Sequence, residues 1–156
     1  MNIRRAKEKD IPKMIDLLNQ VLELHANIRP DIFVPGTTKY STEELAEMLK
    51  DEGKPIFAAV DDSDTLIGYA FCQIKEQPKR EYMVPFKSIF IDDLCVDANF
   101  RGQHIGESLF EFVKEEARKL GCFEVTLNVW AGNDGAERFY EKMGMKTKER
   151  QMEFVL

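Results

Sequence analysis

"IDDLCVDANFRGQHIGESLFEFVKEEARKLGC", residues 91–122, runs from an apolar strand through a loop with two glycines into an amphipathic helix. Ile105, Leu109, Phe112, Val113, Ala117 and Leu120 recur on one helical face, and Glu107, Glu111, Lys114, Glu115, Arg118 and Lys119 fall largely off it. Gly121 closes the helix as a C-terminal cap. The run "FEVTLNVW" that follows reads as a second strand, so the unit is βαβ, with parallel strands and a right-handed crossover.

Upstream, "NIRRA" reads as a first strand, and Asp10 is placed to cap a helix that carries Pro12 in its first turn. Ile11, Met14, Ile15, Leu18, Val21 and Leu22 give that helix one buried face. "HANIRPDIFVPGTTKY" reads as a long loop, after which Ser41 and Glu44 form a capping box for a second helix. "KPIFAAV" and "TLIGYAFCQIK", joined by the polar turn "DDSD", make an antiparallel hairpin. "KSIFIDDLCV" is the next strand, "NDGAERFYEKMG" a last short helix and "KERQMEFVL" a final strand. The order β, α, α, β, β, β, α, β, α, β predicts an α+β fold, with a mixed, mostly antiparallel central sheet, one parallel crossover and flanking helices. It is expected to form a single domain over residues 1–156.

Composition narrows the partners. A net charge of −6 argues against nucleic acid or an anionic membrane and suits a cationic small molecule. The N-terminus lacks the apolar core of a signal peptide, and no apolar run approaches a membrane span, so a cytoplasmic protein is expected. Cys72, Cys95 and Cys122 are widely spaced without a CxxC pair and read as buried thiols. No cluster of His, Cys and carboxylates stands at metal-ligand spacing, so no metal is expected.

A loop entering a helix presents unpaired backbone N–H groups and the positive end of the helix dipole, a setting for a phosphate. Gly102 and Gly106 allow close approach to the backbone, and Arg101 adds a cation. The alternative is a plain tight turn, with Gly106 kept for helix packing. The run matches neither GxxxxGK[ST] nor GxGxxG, which counts against a nucleotide or dinucleotide oxidoreductase.

"VDANFRGQHIG" resembles the acyl-coenzyme A signature of the GNAT superfamily of N-acetyltransferases: Gln or Arg, two residues, Gly, one residue, then Gly or Ala. Arg101 and Gly106 fill its ends, and His104 replaces the middle glycine. "NVWAGNDGAERFYEKMGMK" is similar to the family's second signature, with Asn133, Ala136, Phe139, Tyr140 and Gly144 in place and Met145 where an aromatic is usual. The resemblance implies acetyl-coenzyme A as co-substrate and coenzyme A as product. Backbone groups of Leu94, Cys95 and Val96 are expected to hold the pantetheine arm. The loop Arg101, Gly102, Gln103, His104, Ile105 and Gly106, with Glu107, Asn133, Phe139 and Tyr140, is expected to complete the cofactor site.

Acetyl transfer to an amine needs a base, an oxyanion donor and an acid for the leaving thiolate. By the same resemblance Tyr140 is the acid; as a bare pattern, Phe139 and Tyr140 are equally core aromatics. The Val96 N–H is a natural oxyanion donor. Asp92 and Asp93 precede the cofactor end of the strand, and alternation sends them to opposite faces, so one is expected to meet the acceptor. Resemblance to polyamine-acetylating members favours Asp92, either as a base acting through water or as an attractor of a cationic amine. His25 and Arg29, in the long loop, with Tyr82 and Asn128 or Trp130, are candidates for the acceptor pocket or for loop packing. The acceptor is expected to be a small-molecule or peptide amine, and an exposed last strand permits a homodimer. A non-catalytic acyl-coenzyme A sensor is the alternative function.

Overall fold

In a computed structural model describing residues 1–156, the strands β1 (Asn2–Arg5), β2 (Ile56–Val60), β3 (Leu66–Glu76), β4 (Lys87–Val96) and β5 (Glu124–Leu127) form one sheet. Their order is β1-β2-β3-β4-β5. The first three pairings are antiparallel, and β4 with β5 is parallel, as the crossover requires. Helices α1 (Ile11–Ile28) and α2 (Thr42–Met48) pack on one face, α3 (Ile105–Lys119) on the other, and α4 (Asp134–Lys142) follows β5.

The apolar runs are explained by this sandwich. All five residues of β2 are buried: Ile56, Ala58 and Val60 join Met14, Leu17 and Leu45 from α1 and α2, while Phe57 and Ala59 join Leu109 and Val113 from α3. Each fully buried Leu or Ile of these clusters stabilises the fold by about 1.5–3 kcal/mol relative to exposure. On α3, Phe110 rather than Leu120 completes the buried face, because the helix ends at Lys119 and leaves Leu120 exposed. The expected capping box of α2 is present: Ser41 Oγ accepts the Glu44 N–H at 3.1 Å, and Glu44 accepts the Ser41 N–H at 2.7 Å.

Four expectations are corrected. Asp10 makes no side-chain cap on α1; its buried carboxylate accepts the Lys7 N–H at 2.8 Å and meets the Arg4 guanidinium at 2.7 Å. The long loop starts later than "HANI", since α1 runs to Ile28, placing His25 in its last turn and Arg29 at its C-cap. β5 stops at Leu127, so Asn128 and Trp130 lie beyond it. "KERQMEFVL" forms no strand: residues 146–156 pair with no neighbour in the sheet, and Met152, Phe154, Val155 and Leu156 stay exposed.

Candidate active site

Strand β4 carries the site, and one irregularity organises it. Asp93 pairs with Phe71 and Ile91 with Cys72, so Asp92 is an extra residue, a β-bulge. Before it Ile89 and Ile91 face the α3 cluster; after it Leu94 and Val96 do so, and Cys95 faces the α1–α2 cluster. The parity reversal overturns the expected opposite orientation: both aspartates project to the α1–α2 face, where Asp92 meets Lys39 and Asp93 meets Tyr69.

The two carboxylates have different surroundings. Asp93 accepts the Tyr69 hydroxyl at 2.8 Å, and burial raises its pKa from 3.8 to about 6 against the pull of that bond and of Lys39. Tyr69 is fully buried, and burial and the Asp93 charge hold its phenol well above its ordinary value. Asp92 lies 3.1 Å from Lys39 Nζ and is more open.

Beside this pair the sheet opens. β4 and β5 pair only from Ser88 with Glu124 to Ile91 with Leu127, and β4 then continues alone on that side. The Asp97 N–H donates to Ile67 and Cys95 pairs with Tyr69, so the backbone of Cys95 is committed to β3. Leu94 and Val96, in the alternate positions, turn their N–H and C=O groups to the free edge. Of the three expected backbone contacts, two are available. The Cys95 thiol is pushed up to about 12 by burial and then by the Asp93 charge, so it stays protonated.

The loop after β4 is fixed at its start by Asp97, which accepts the Asn99 N–H at 2.9 Å and pairs with Lys13 of α1 at 2.6 Å. Gly102 at φ +76° and His104 at φ +61° then turn the chain in the left-handed region into α3. Beside them lies a pocket of about 340 Å³ lined by Val96, Arg101, Gly106, Phe139 and Lys142 among others. A Cβ on Gly106 would stand 3.4 Å from the Phe139 ring, at van der Waals contact, so α3 lies close against α4 at this glycine. His104 Nδ1 lies 2.9 Å from Glu107, which Lys142 also reaches at 2.6 Å. Two cations thus line the pocket; sequence reasoning missed Lys142, which only the packing of α4 on α3 brings there.

Helix α4 is capped by Asn133, whose side chain accepts the Ala136 N–H at 3.3 Å. It sets Tyr140 half-buried against Phe110 and Phe139, with ring centroids 6.0 and 5.0 Å away. Burial, then the Asp93 charge, raise the Tyr140 phenol above its ordinary value, so it keeps its proton at neutral pH.

The expected acceptor residues divide. His25 packs on Phe33 with ring centroids 5.3 Å apart and tilted planes, its pKa lowered by burial and then by the Lys39 charge. Phe33 meets Trp130 edge-on at 5.4 Å, and Arg29 lies 5.8 Å over Trp130 while pairing with Asp31 and Glu153 at 2.6 and 2.7 Å. Asn128 is exposed beyond β5, and Tyr82, 84% exposed, stands in the connection before β4 without joining this group. Lys39 and Tyr69 were not singled out from sequence. Tyr69 is legible as the residue two before Phe71 on the same face, whereas nothing in the sequence places Lys39.

A family model described as Acetyltransferase (GNAT) family matches residues 18–145. The chain is 26% identical over 152 residues to a thialysine N-epsilon-acetyltransferase of Bos taurus, covering 91% of this chain and 82% of the relative. It is 38% identical over 66 residues to a glucosamine 6-phosphate N-acetyltransferase of Arabidopsis thaliana, covering 42% of each. That match spans about two fifths of the relative's length. Among solved structures, the BH1408 protein of Bacillus halodurans superposes with a TM-score of 0.95 at 29% identity, covering 100% of this chain and 99% of the other. An aminoglycoside acetyltransferase from a soil metagenomic sample shares the fold, with a TM-score of 0.73 at 24% identity and coverage of 99% and 94%. No helix is long and apolar enough to cross a membrane, and no group of three or more His, Cys, Asp or Glu gathers around a metal position.

Proposed function

The chain belongs to the GNAT acetyltransferase family, and on that premise we propose that it transfers an acetyl group from acetyl-coenzyme A to a cationic primary amine, by direct attack in a ternary complex. The observation that carries the reading is the bulge at Asp92, which sets two carboxylates beside the backbone edge that β5 leaves free.

Acetyl-coenzyme A supplies the activated thioester. The N–H and C=O groups of Leu94 and Val96 receive its extended arm as a strand would be received, and the Val96 N–H is the oxyanion donor. Its diphosphate belongs in the pocket lined by Arg101, Gly102, His104, Ile105, Gly106 and Lys142, at the N-terminus of the 15-residue helix α3, with Gln103 in the same loop. Asp92 attracts the ammonium of the acceptor, and Asp93 takes its proton. A carboxylate at about 6 is a weak base for an ammonium near 10, so the proton crosses a water and turnover rises with pH. Tyr140 protonates the departing sulfur. The Cys95 and Cys72 thiols, both near 12, stay protonated, which favours direct transfer over an acetyl-cysteine intermediate.

The acceptor class follows from the acid pair and from relatives whose names record amine substrates, thialysine among them. The net charge of −6 fits such an acceptor, and the three unbridged cysteines fit a cytoplasmic setting. We extend the proposal to a homodimer, on the exposed apolar side chains of residues 152–156.

Thermal unfolding with acetyl-coenzyme A, coenzyme A and NAD(P) in parallel tests the site. A ligand at 100 times its Kd stabilises by about 2.7 kcal/mol. Stabilisation by both coenzyme A species and not by NAD(P), followed by thiol release with a primary amine, is the expected result. Binding without thiol release across an amine panel would make the chain an acyl-coenzyme A sensor.

A further inference from the structure

Lys39 lies in the connection between α1 and α2, and its Nζ stands 3.1 Å from Asp92 Oδ2. The residues after it are pinned. Tyr40 stacks on Phe71, with centroids 6.2 Å apart and planes at 15°, and Ser41 caps α2. The Lys39 side chain itself is 41% exposed, its Nζ 5.2 Å from the Tyr40 ring centroid. Its pKa is raised; burial opposes the charge, but Asp92, Tyr40 and Asp93 together outweigh it. Those two carboxylates are the groups assigned above to the acceptor's ammonium, so the chain presents its own primary amine where an acceptor amine is required.

We infer that Lys39 is an internal acceptor: with acetyl-coenzyme A bound and no free amine to displace it, the protein acetylates its own Lys39. The inference rests on the acetyltransferase reading and specifies its acceptor site. In the step, the Lys39 nitrogen, having given a proton through water to Asp93, forms a bond to the acetyl carbon. The carbon–sulfur bond breaks, its electron pair stays on sulfur, Tyr140 protonates the sulfur, and the second proton lost by the nitrogen restores the Tyr140 phenol. The products are an acetyl-lysine amide, coenzyme A and one proton, with no change of oxidation state. The amide carries no charge, so the ion pair with Asp92 is lost. A free cationic amine competes because it must take the same carboxylate.

The test is to incubate the purified chain with isotope-labelled acetyl-coenzyme A and no amine, then map the label by peptide mass spectrometry. Lys50 and Lys119, paired on the surface, are internal references for chemical acetylation. The expected result is label on Lys39 at a rate independent of protein concentration, suppressed by a good amine substrate. Asp93→Asn should slow it about 100-fold, within the usual range for removing a general base, and Lys39→Arg, which keeps the charge without a transferable amine, should remove it. Label on Lys39 no greater than on Lys50, or a rate proportional to protein concentration, would overturn the inference. Transfer to free amines without label on Lys39 sinks this proposal alone; transfer to neither sinks the acetyltransferase reading with it.

Discussion

In the proposed mechanism two neighbouring aspartates take different roles, because one is buried against Tyr69 and the other is paired with Lys39. Asp93→Asn is expected to lower kcat by about 100-fold and to abolish the fall in rate below pH about 6. The groups facing Asp93 are Tyr69 from β3, Lys39 from the α1–α2 connection, and Asp92 on its own strand. Tyr140 of α4 and Cys95 feel its charge. Asp92→Asn is expected instead to raise KM for cationic amines. Stability moves the opposite way. The folded pKa of Asp93 is raised above 3.8, so its favourable contribution is present below that value and lost as pH rises through about 6. Asp93→Asn should therefore stabilise the fold at pH 8 relative to pH 4, a difference read by thermal unfolding at the two pH values. Tyr140→Phe removes the donor with little change of shape, and kcat should fall about 100-fold or more; unchanged turnover would remove Tyr140 from the mechanism.

At the scale of elements, the bulge and the loop into α3 matter more than any single side chain. Gly102 has open space around its missing Cβ but sits at φ +76°, so Gly102→Ala costs about 1–2 kcal/mol of backbone strain rather than a clash. Calorimetry should find the unfolding free energy of the variant lower by about that amount. The βαβ unit, the hairpin and the capping box were legible in the sequence because each rests on local periodicity or on turn and cap residues. The orientation of Asp92 and Asp93 was not. A bulge has no composition signal here, and strict alternation gave the wrong face for one of the pair. The Arg101–Gly106 loop was readable as a glycine-bearing turn into a helix, whereas the place of Lys142 beside it depends on packing between helices that no local pattern reports.

For the whole molecule, the family resemblance and the order of elements agree with the observed sheet, and the misreading lies at its end. An alternating apolar pattern in "QMEFVL" predicts a strand, but a strand exists only with a partner, and none lies beside it within one copy. The exposed residues Met152, Phe154 and Leu156 lead to a prediction: the chain should elute as a dimer, and Phe154→Ser should shift light scattering toward monomer. A monomeric wild-type chain would contradict it.

The proposed role of Asp93 is that of the base for acetyl transfer, set by the bulge beside an open strand edge. Its most direct test is the pH dependence of coenzyme A release with a saturating primary amine, in the wild type and in Asp93→Asn. The expected result is a wild-type rate that falls as pH drops through about 6 and a variant about 100-fold slower without that limb. Equal rates, or the same limb in both proteins, would contradict it.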